Sequence, residues 1–219
     1  MTTLLFSPYQ PLADALLAHL PDDGDGAHDL AHLVRVWRNV QRIAAEEGGD
    51  RELLLAATLL HDGVHVAKDD PRRDRASRLA AEQARNILDT LEWAASHIDA
   101  VAHAIESHSF SANITPQTLE ARVLQDADRL DALGALGVAR CFYTAGQMGS
   151  ALYDVTDPQA HARARDDQRF TLDHFETKLL TLSAGFQTAT GRQLAAQRHA
   201  RLLAFREALL EEIGEPPVE

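Results

Sequence analysis

The run Leu53-Leu54-Leu55-Ala56-Ala57-Thr58-Leu59-Leu60 leads directly into His61-Asp62. Strong helix formers fill it, and no glycine or proline interrupts it, so it predicts a buried helix. An imidazole and a carboxylate then emerge where that helix leaves the core. Polar groups in such a place need partners, and a divalent cation is one of the few that suits both. The rest of the chain therefore has to be read for further ligands.

Working outward, 3.6-residue periodicity recurs and period-two alternation of β-branched residues is scarce, which predicts an all-α fold. Asp29 reads as the N-cap of a helix running to about Glu47 and closed by Gly48-Gly49, with Leu30, Leu33, Trp37 and Ala44 in its buried stripe. The helix of the opening run starts after Asp50 and ends near His61. A third, amphipathic helix is expected from Ser77 to about Leu91. Ser96 with Asp99 resembles a capping box and would open a fourth through about Ser107. Thr115-Pro116 supplies an N-cap and an N1 proline for one long helix through Asp128 towards Arg140. Gly134 and Gly137 inside it imply close packing or a kink. Residues 144–170 read as irregular, a lid or a surface excursion, followed by helices at about 171–182 and 189–213.

The 219 residues carry a net charge of −12 and 45 % hydrophobic content, sufficient for a sizeable core. That charge argues against nucleic-acid polymers and anionic membranes as partners. No apolar stretch approaches the roughly 18 residues of a membrane span. Neither an export signal nor a disulfide framework is visible, Cys141 being the single cysteine, so a cytoplasmic protein is expected. Among 21 basic residues only Lys68 and Lys178 are lysine, which draws attention to Lys68, six residues beyond Asp62.

Two further residues answer the search for ligands. His32 shares a helical face with Val36, Val40 and Ile43, which turns its imidazole inward. Asp128 shares one with Ala121 and Leu124, although Asp126 and Asp131 flank it. A lone inward histidine is usually a hydrogen-bonded core residue, and an unpaired buried carboxylate is costly. His32, His61, Asp62 and Asp128 together form an N2O2 set suited to Mn, Fe, Ni, Zn or Mg.

The ordered blocks His28-Asp29-Leu30-Ala31-His32, Leu60-His61-Asp62 with Lys68-Asp69, Glu106 to Ser111, Gln125 to Gly134 and Phe175 to Leu180 make the resemblance specific. The chain resembles the HD-domain metal-dependent phosphohydrolases, in their YedJ/YpgQ-type branch. The resemblance implies an HD-domain helical bundle with its core over 26–145. Around it are expected an N-terminal helical extension over 1–25, an irregular segment plus C-terminal helices packed on the core over 146–213, and a disordered tail at 214–219. It also implies His32, His61, Asp62 and Asp128 as metal ligands, and it selects Asp128 over Asp126 and His32 over the earlier His28-Asp29 pair. Related families with two metals use extra histidines between the HD pair and the final Asp, which invites a binuclear reading, but His103 and His108 at a spacing of five do not share a helical face, so one divalent cation per chain is expected over two. Asp131 is then a group orienting a ligand or water.

The activity implied is hydrolysis of a phosphoester or pyrophosphate bond in a small phosphorylated substrate, a nucleotide above all, by metal-activated water. Asp62 would both ligate and accept a hydrogen bond from that water. His65, standing where several relatives carry a carboxylate, is the candidate proton-transfer group. Lys68 and Arg75 are candidates for substrate phosphate, with Arg72 and Arg73 in reserve, and His103 and His108 are candidates for substrate contact. His174 and Lys178 read as packing residues. A competing reading is a non-catalytic nucleotide-binding HD module; such modules usually lose ligands, and none is missing here. Either a monomer or a homodimer fits, since no heptad or isolated apolar seam demands assembly.

Overall fold

The computed structural model describes residues 4–20, 29–64, 75–109 and 112–214. Among these, the architecture is all-α: α1 (Gln10–Leu17), α2 (Leu30–Glu47), α3 (Arg51–Leu60), α4 (Ala76–Thr90), α5 (Ala95–His108), α6 (Leu119–Asp131), α7 (Gly134–Met148), α8 (Thr171–His174) and α9 (Ala189–Glu212). A π-helical turn, Phe175–Leu179, and a 3-10 turn, Leu182–Gly185, lie between α8 and α9. By internal packing the chain divides into two compact units. The first comprises Met1–Asp128 with Gln187–Thr190, and the second Arg129–Phe186 with Gly191–Glu219.

In the first unit α3 is the central element, packed against α1, α2, α4 and α5. Every residue from Leu53 to Leu60 is buried. Each fully buried leucine contributes about 2 kcal/mol of apolar burial, so the opening run anchors the core. Asp50 starts α3 by accepting from the backbone N–H groups of Glu52 (2.9 Å) and Leu53 (3.1 Å). Asp29 starts α2 in the same way, through the N–H of His32 at 2.9 Å. The buried stripe of α2 carries His32, Val36, Trp37, Val40, Ile43 and Ala44, whereas Leu30, expected inside, is exposed. Leu33, also expected inside, is half-buried.

Three expected boundaries move. α5 begins after Ala94, without a side-chain cap, in place of the Ser96–Asp99 box; Asp99 pairs instead with Arg85 of α4. α6 begins at Leu119 in place of Pro116, and Thr118 Oγ1 accepts from the N–H of Ala121 at 3.2 Å. The single long helix expected to reach Arg140 is two helices, because Leu133 is extended and Gly134 takes φ +71°. A β-carbon at Gly137 would lie 2.3 Å from the carbonyl oxygen of Ala132, so the break closes tightly on that glycine.

The second unit contains the end of α6, α7, the segment to Phe186 and α9 from Gly191. Helix continues to Met148, so irregular backbone starts at Gly149, later than expected, and Gly149 ends α7 in the left-handed region. Local hydrogen bonds organise this excursion. Asp157 accepts from the N–H groups of His161 (2.8 Å), Ala162 (2.8 Å) and Arg163 (3.1 Å). Arg163 grips the buried Asp173 with two bonds of 2.5 and 2.8 Å and lies 4.5 Å above the Phe170 ring. The helix expected over 171–182 is one α-turn followed by the π and 3-10 turns. Phe142, Phe175 and Phe205 cluster with ring centroids 5.9 to 6.1 Å apart.

Candidate metal centre

His32 sits in the first turn of α2, His61 and Asp62 directly follow α3, and Asp128 lies in the last turn but one of α6. All four belong to the first unit. His32 Nε2 lies 3.3 Å from His61 Nε2, 3.5 Å from Asp62 Oδ2 and 3.6 Å from Asp128 Oδ1. His61 Nε2 lies 3.4 Å from Asp62 Oδ2 and 3.8 Å from Asp128 Oδ1. Donor atoms arranged tetrahedrally about 2.1 Å from a shared ion are roughly 3.4 Å apart. The observed separations therefore fit one divalent cation.

Chemistry agrees with geometry. His61 Nδ1–H donates to the Thr58 carbonyl at 2.7 Å, which turns Nε2 towards the cluster. Backbone anchoring of the distal ring nitrogen is the usual way a ligating histidine is oriented. Two imidazole nitrogens and two carboxylates thus gather at one place, and a divalent cation is a species that suits all four. Both imidazoles are buried, but the side chains of Asp62 and Asp128 are 31 % and 25 % exposed, so the carboxylates face the open side. Burial pulls the His61 pKa down, but Asp62 and then Asp128 outweigh it and raise it to about 9. Burial likewise opposes ionisation of both carboxyls, yet His61 foremost, with His32 and His108, holds them below the usual carboxylate range.

His108, the last residue of α5, repeats the geometry of His61. Its Nδ1–H donates to the Ile105 carbonyl at 2.5 Å, and its Nε2 lies 3.8 Å from Asp62 Oδ1. The His61 and His108 rings meet edge to face with centroids 4.8 Å apart. Burial, then the charge of His61, lowers the His108 pKa. Both rings cap the carbonyl ends of their helices, where the helix dipole favours positive charge.

The remaining sequence candidates are placed as follows. His65 and Lys68, with Arg72 and Arg73, lie outside the described residues. Arg75 stands exposed just before α4. His103 Nε2 accepts from the Gln117 N–H at 2.9 Å. Asp131 is buried in the second unit and accepts from Arg140 at 2.9 Å. His174 Nδ1 lies 3.1 Å from Asp167 Oδ2. Sequence reading passed over Asn39 and Gln125, two buried amides; each breaks an otherwise apolar stripe, which was the signal available. Asp126, set aside for Asp128, is fully buried and binds the N–H groups of Gln187 and Thr188.

Known proteins are similar to this chain over most of its length. The HD domain family matches residues 29–133. YpgQ of Bacillus subtilis (strain 168) is 33 % identical over 198 residues, covering 89 % of this chain and 88 % of YpgQ. The crystal structure of B. subtilis YpgQ in complex with ADP aligns with a TM-score of 0.71 at 30 % identity, over 97 % of this chain and 98 % of that one. An HD-superfamily hydrolase from Bacillus thuringiensis aligns with a TM-score of 0.70 at 30 % identity, over 93 % and 95 % of the two chains. With a relative 33 % identical over most of its length and an HD-domain match over residues 29–133, this chain belongs to the HD-domain hydrolases, in the branch typified by YpgQ.

Proposed function

We propose that the chain is a metal-dependent phosphohydrolase cleaving a phosphoester or pyrophosphate bond of a small phosphorylated substrate, a nucleotide above all. The observation that carries this reading is that His32 Nε2 and His61 Nε2 each lie within 3.8 Å of both the Asp62 and the Asp128 carboxylate, with the carboxylates on the exposed side. The binding of ADP by the YpgQ relative supports the substrate class. In this reading the four residues hold one divalent cation, Mn, Ni, Fe, Mg or Zn. Such a cation, when bound, supplies an acidic water and polarises a phosphoryl oxygen.

The chain's own groups then orient the reaction. Asp62 Oδ1 is the Asp62 oxygen nearest His108 and accepts a hydrogen bond from the attacking water. His108 stands beside it, able to meet that water or, protonated, a phosphate oxygen. His65 transfers the proton, Lys68 and Arg75 bind phosphate, and His103 contacts substrate. Most of the rate enhancement in phosphoryl transfer comes from such positioning and charge stabilisation. A cytoplasmic setting accords with a nucleotide substrate and a single cysteine.

The test is a nucleotide panel with a general phosphodiester, assayed with and without Mn(II), reading orthophosphate and pyrophosphate separately. Turnover that requires metal and disappears in Asp128→Ala is expected. Tight metal and nucleotide binding without turnover on any substrate would instead favour a regulatory module.

A further inference from the structure

Asp128 is the ligand whose placement needs most explanation. Its nearest donors, His32 and His61, stand 3.6 and 3.8 Å away, beyond hydrogen-bond distance. The rotation of α6 about its own axis therefore sets where the carboxylate goes. A side-chain tip on a helix lies roughly 6 Å from the axis, so a 10° rotation moves it by about 1 Å. Functional groups need tighter placement than that.

The turn that carries Asp128 is gripped from three sides, by buried polar groups of consecutive residues. Gln125 Nε2 donates to the Ser107 carbonyl at 2.6 Å, next to His108. The Asp126 carboxylate accepts from the N–H groups of Gln187 and Thr188, both at 2.8 Å, and from Thr188 Oγ1 at 2.7 Å. Asn39 Nδ2 donates to the Ala127 carbonyl at 3.0 Å. Asn39 lies two turns after His32 on the same face of α2, so this bond ties the two ligand-bearing helices directly. The Gln125 and Asp126 side chains leave the helix about 100° apart, and the Asn39 bond holds the backbone carbonyl of the residue before Asp128, so together they resist rotation of this turn. A buried carboxylate and two buried amides are an expensive way to fill space that leucine or methionine would fill.

We propose that Asn39 and Asp126, with Thr188 as partner, are positioning residues that fix the rotation of α6 and so hold Asp128 against His32 and His61. The proposal rests on the metal-site reading above but not on the substrate or the reaction. Asn39→Leu keeps the number and branching of side-chain heavy atoms and removes the donor, while the Ala127 carbonyl stays within the helix. Thr188→Val removes one donor to Asp126 without altering α6, and Thr188→Ser retains it.

Mn(II) binding to the full-length metal-free variants, followed by the electron paramagnetic resonance of the free ion, reads the effect, with circular dichroism checking the fold. Outer partners of this kind are typically worth 10–100-fold in metal affinity. Asn39→Leu is expected to lose about tenfold or more while remaining folded, Thr188→Val to lose less in the same direction, and Thr188→Ser to stay near wild type. Folded Asn39→Leu and Thr188→Val proteins that bind Mn(II) within twofold of wild type would overturn the proposal, even if their melting temperatures fall. Asp128→Ala is the control for the underlying reading. If wild type and Asp128→Ala bind Mn(II) equally, the metal site itself is refuted and the positioning role with it.

Discussion

His61 closes α3, donates its Nδ1–H to Thr58 and turns Nε2 towards two carboxylates, so its protonation and metal binding compete. Without metal the carboxylates keep the ring protonated up to about pH 9, whereas Asp62 and Asp128 are ionised throughout the neutral range. Cation binding must displace the His61 proton, and lowering the pH restores it. Apparent Mn(II) affinity should therefore climb about tenfold per pH unit towards pH 9 and fall away on acidification. Calorimetric titration from pH 6 to 8, in buffers of different ionisation enthalpy, should detect about one proton released. A flat affinity profile with no proton release would contradict this account. At this scale the sequence was informative, since a histidine and an aspartate ending a leucine run have few bland explanations. It was less informative about the neighbouring acids. Asp126 is the more deeply buried, but its oxygens bind backbone N–H groups sixty residues away, and no local pattern reveals that.

Among the elements, α2 and α3 were legible because their signals are local: Asp29 and Asp50 cap them, and their stripes repeat at helical spacing. The division between α6 and α7 was not, because apolar periodicity runs through it. Two glycines whose reason is tertiary decide it. Gly134 packs against Arg198, whose guanidinium in turn binds the Leu130 carbonyl at the end of α6, and Gly137 receives the Ala132 carbonyl. Gly137→Ala places a methyl group 2.3 Å from that oxygen and must push the two helices apart. The expected cost is about 2 kcal/mol, which lowers the melting temperature by about 4–8 °C in a chain of this size. Gly146→Ala, with nothing within 4 Å, is the control and should be neutral or slightly stabilising. Equal melting temperatures for the two variants would refute the close approach at Gly137.

Over the whole molecule, the four proposed ligands belong to the first unit, whereas the excursion after α7 is organised within the second by the Arg163–Asp173 pair. Burial raises the Asp173 pKa, but Arg163 and the Asp166 N–H outweigh it and hold the carboxyl low. A carboxyl held low in the folded state contributes stability that is present above its ordinary pKa, about 3.9, and lost as the pH falls through the folded value. Asp173→Asn should cost about 3 kcal/mol near neutrality, by leaving Arg163 without its buried partner. Urea unfolding at pH 7 and pH 3 should show that difference shrinking in acid, and an undiminished gap at pH 3 would exclude the pair as its source. The sequence by itself determined the helical class and the caps of the first two long helices, because both are written in local spacing, and it pointed to His32, His61-Asp62 and Asp128 as a candidate set. Tertiary structure alone decided which aspartate beside Asp128 became an anchor, where α6 breaks, and that His108 joins the cluster while His103 binds a backbone N–H. Those outcomes depend on which atoms arrive from distant parts of the chain, and helical periodicity carries no record of them.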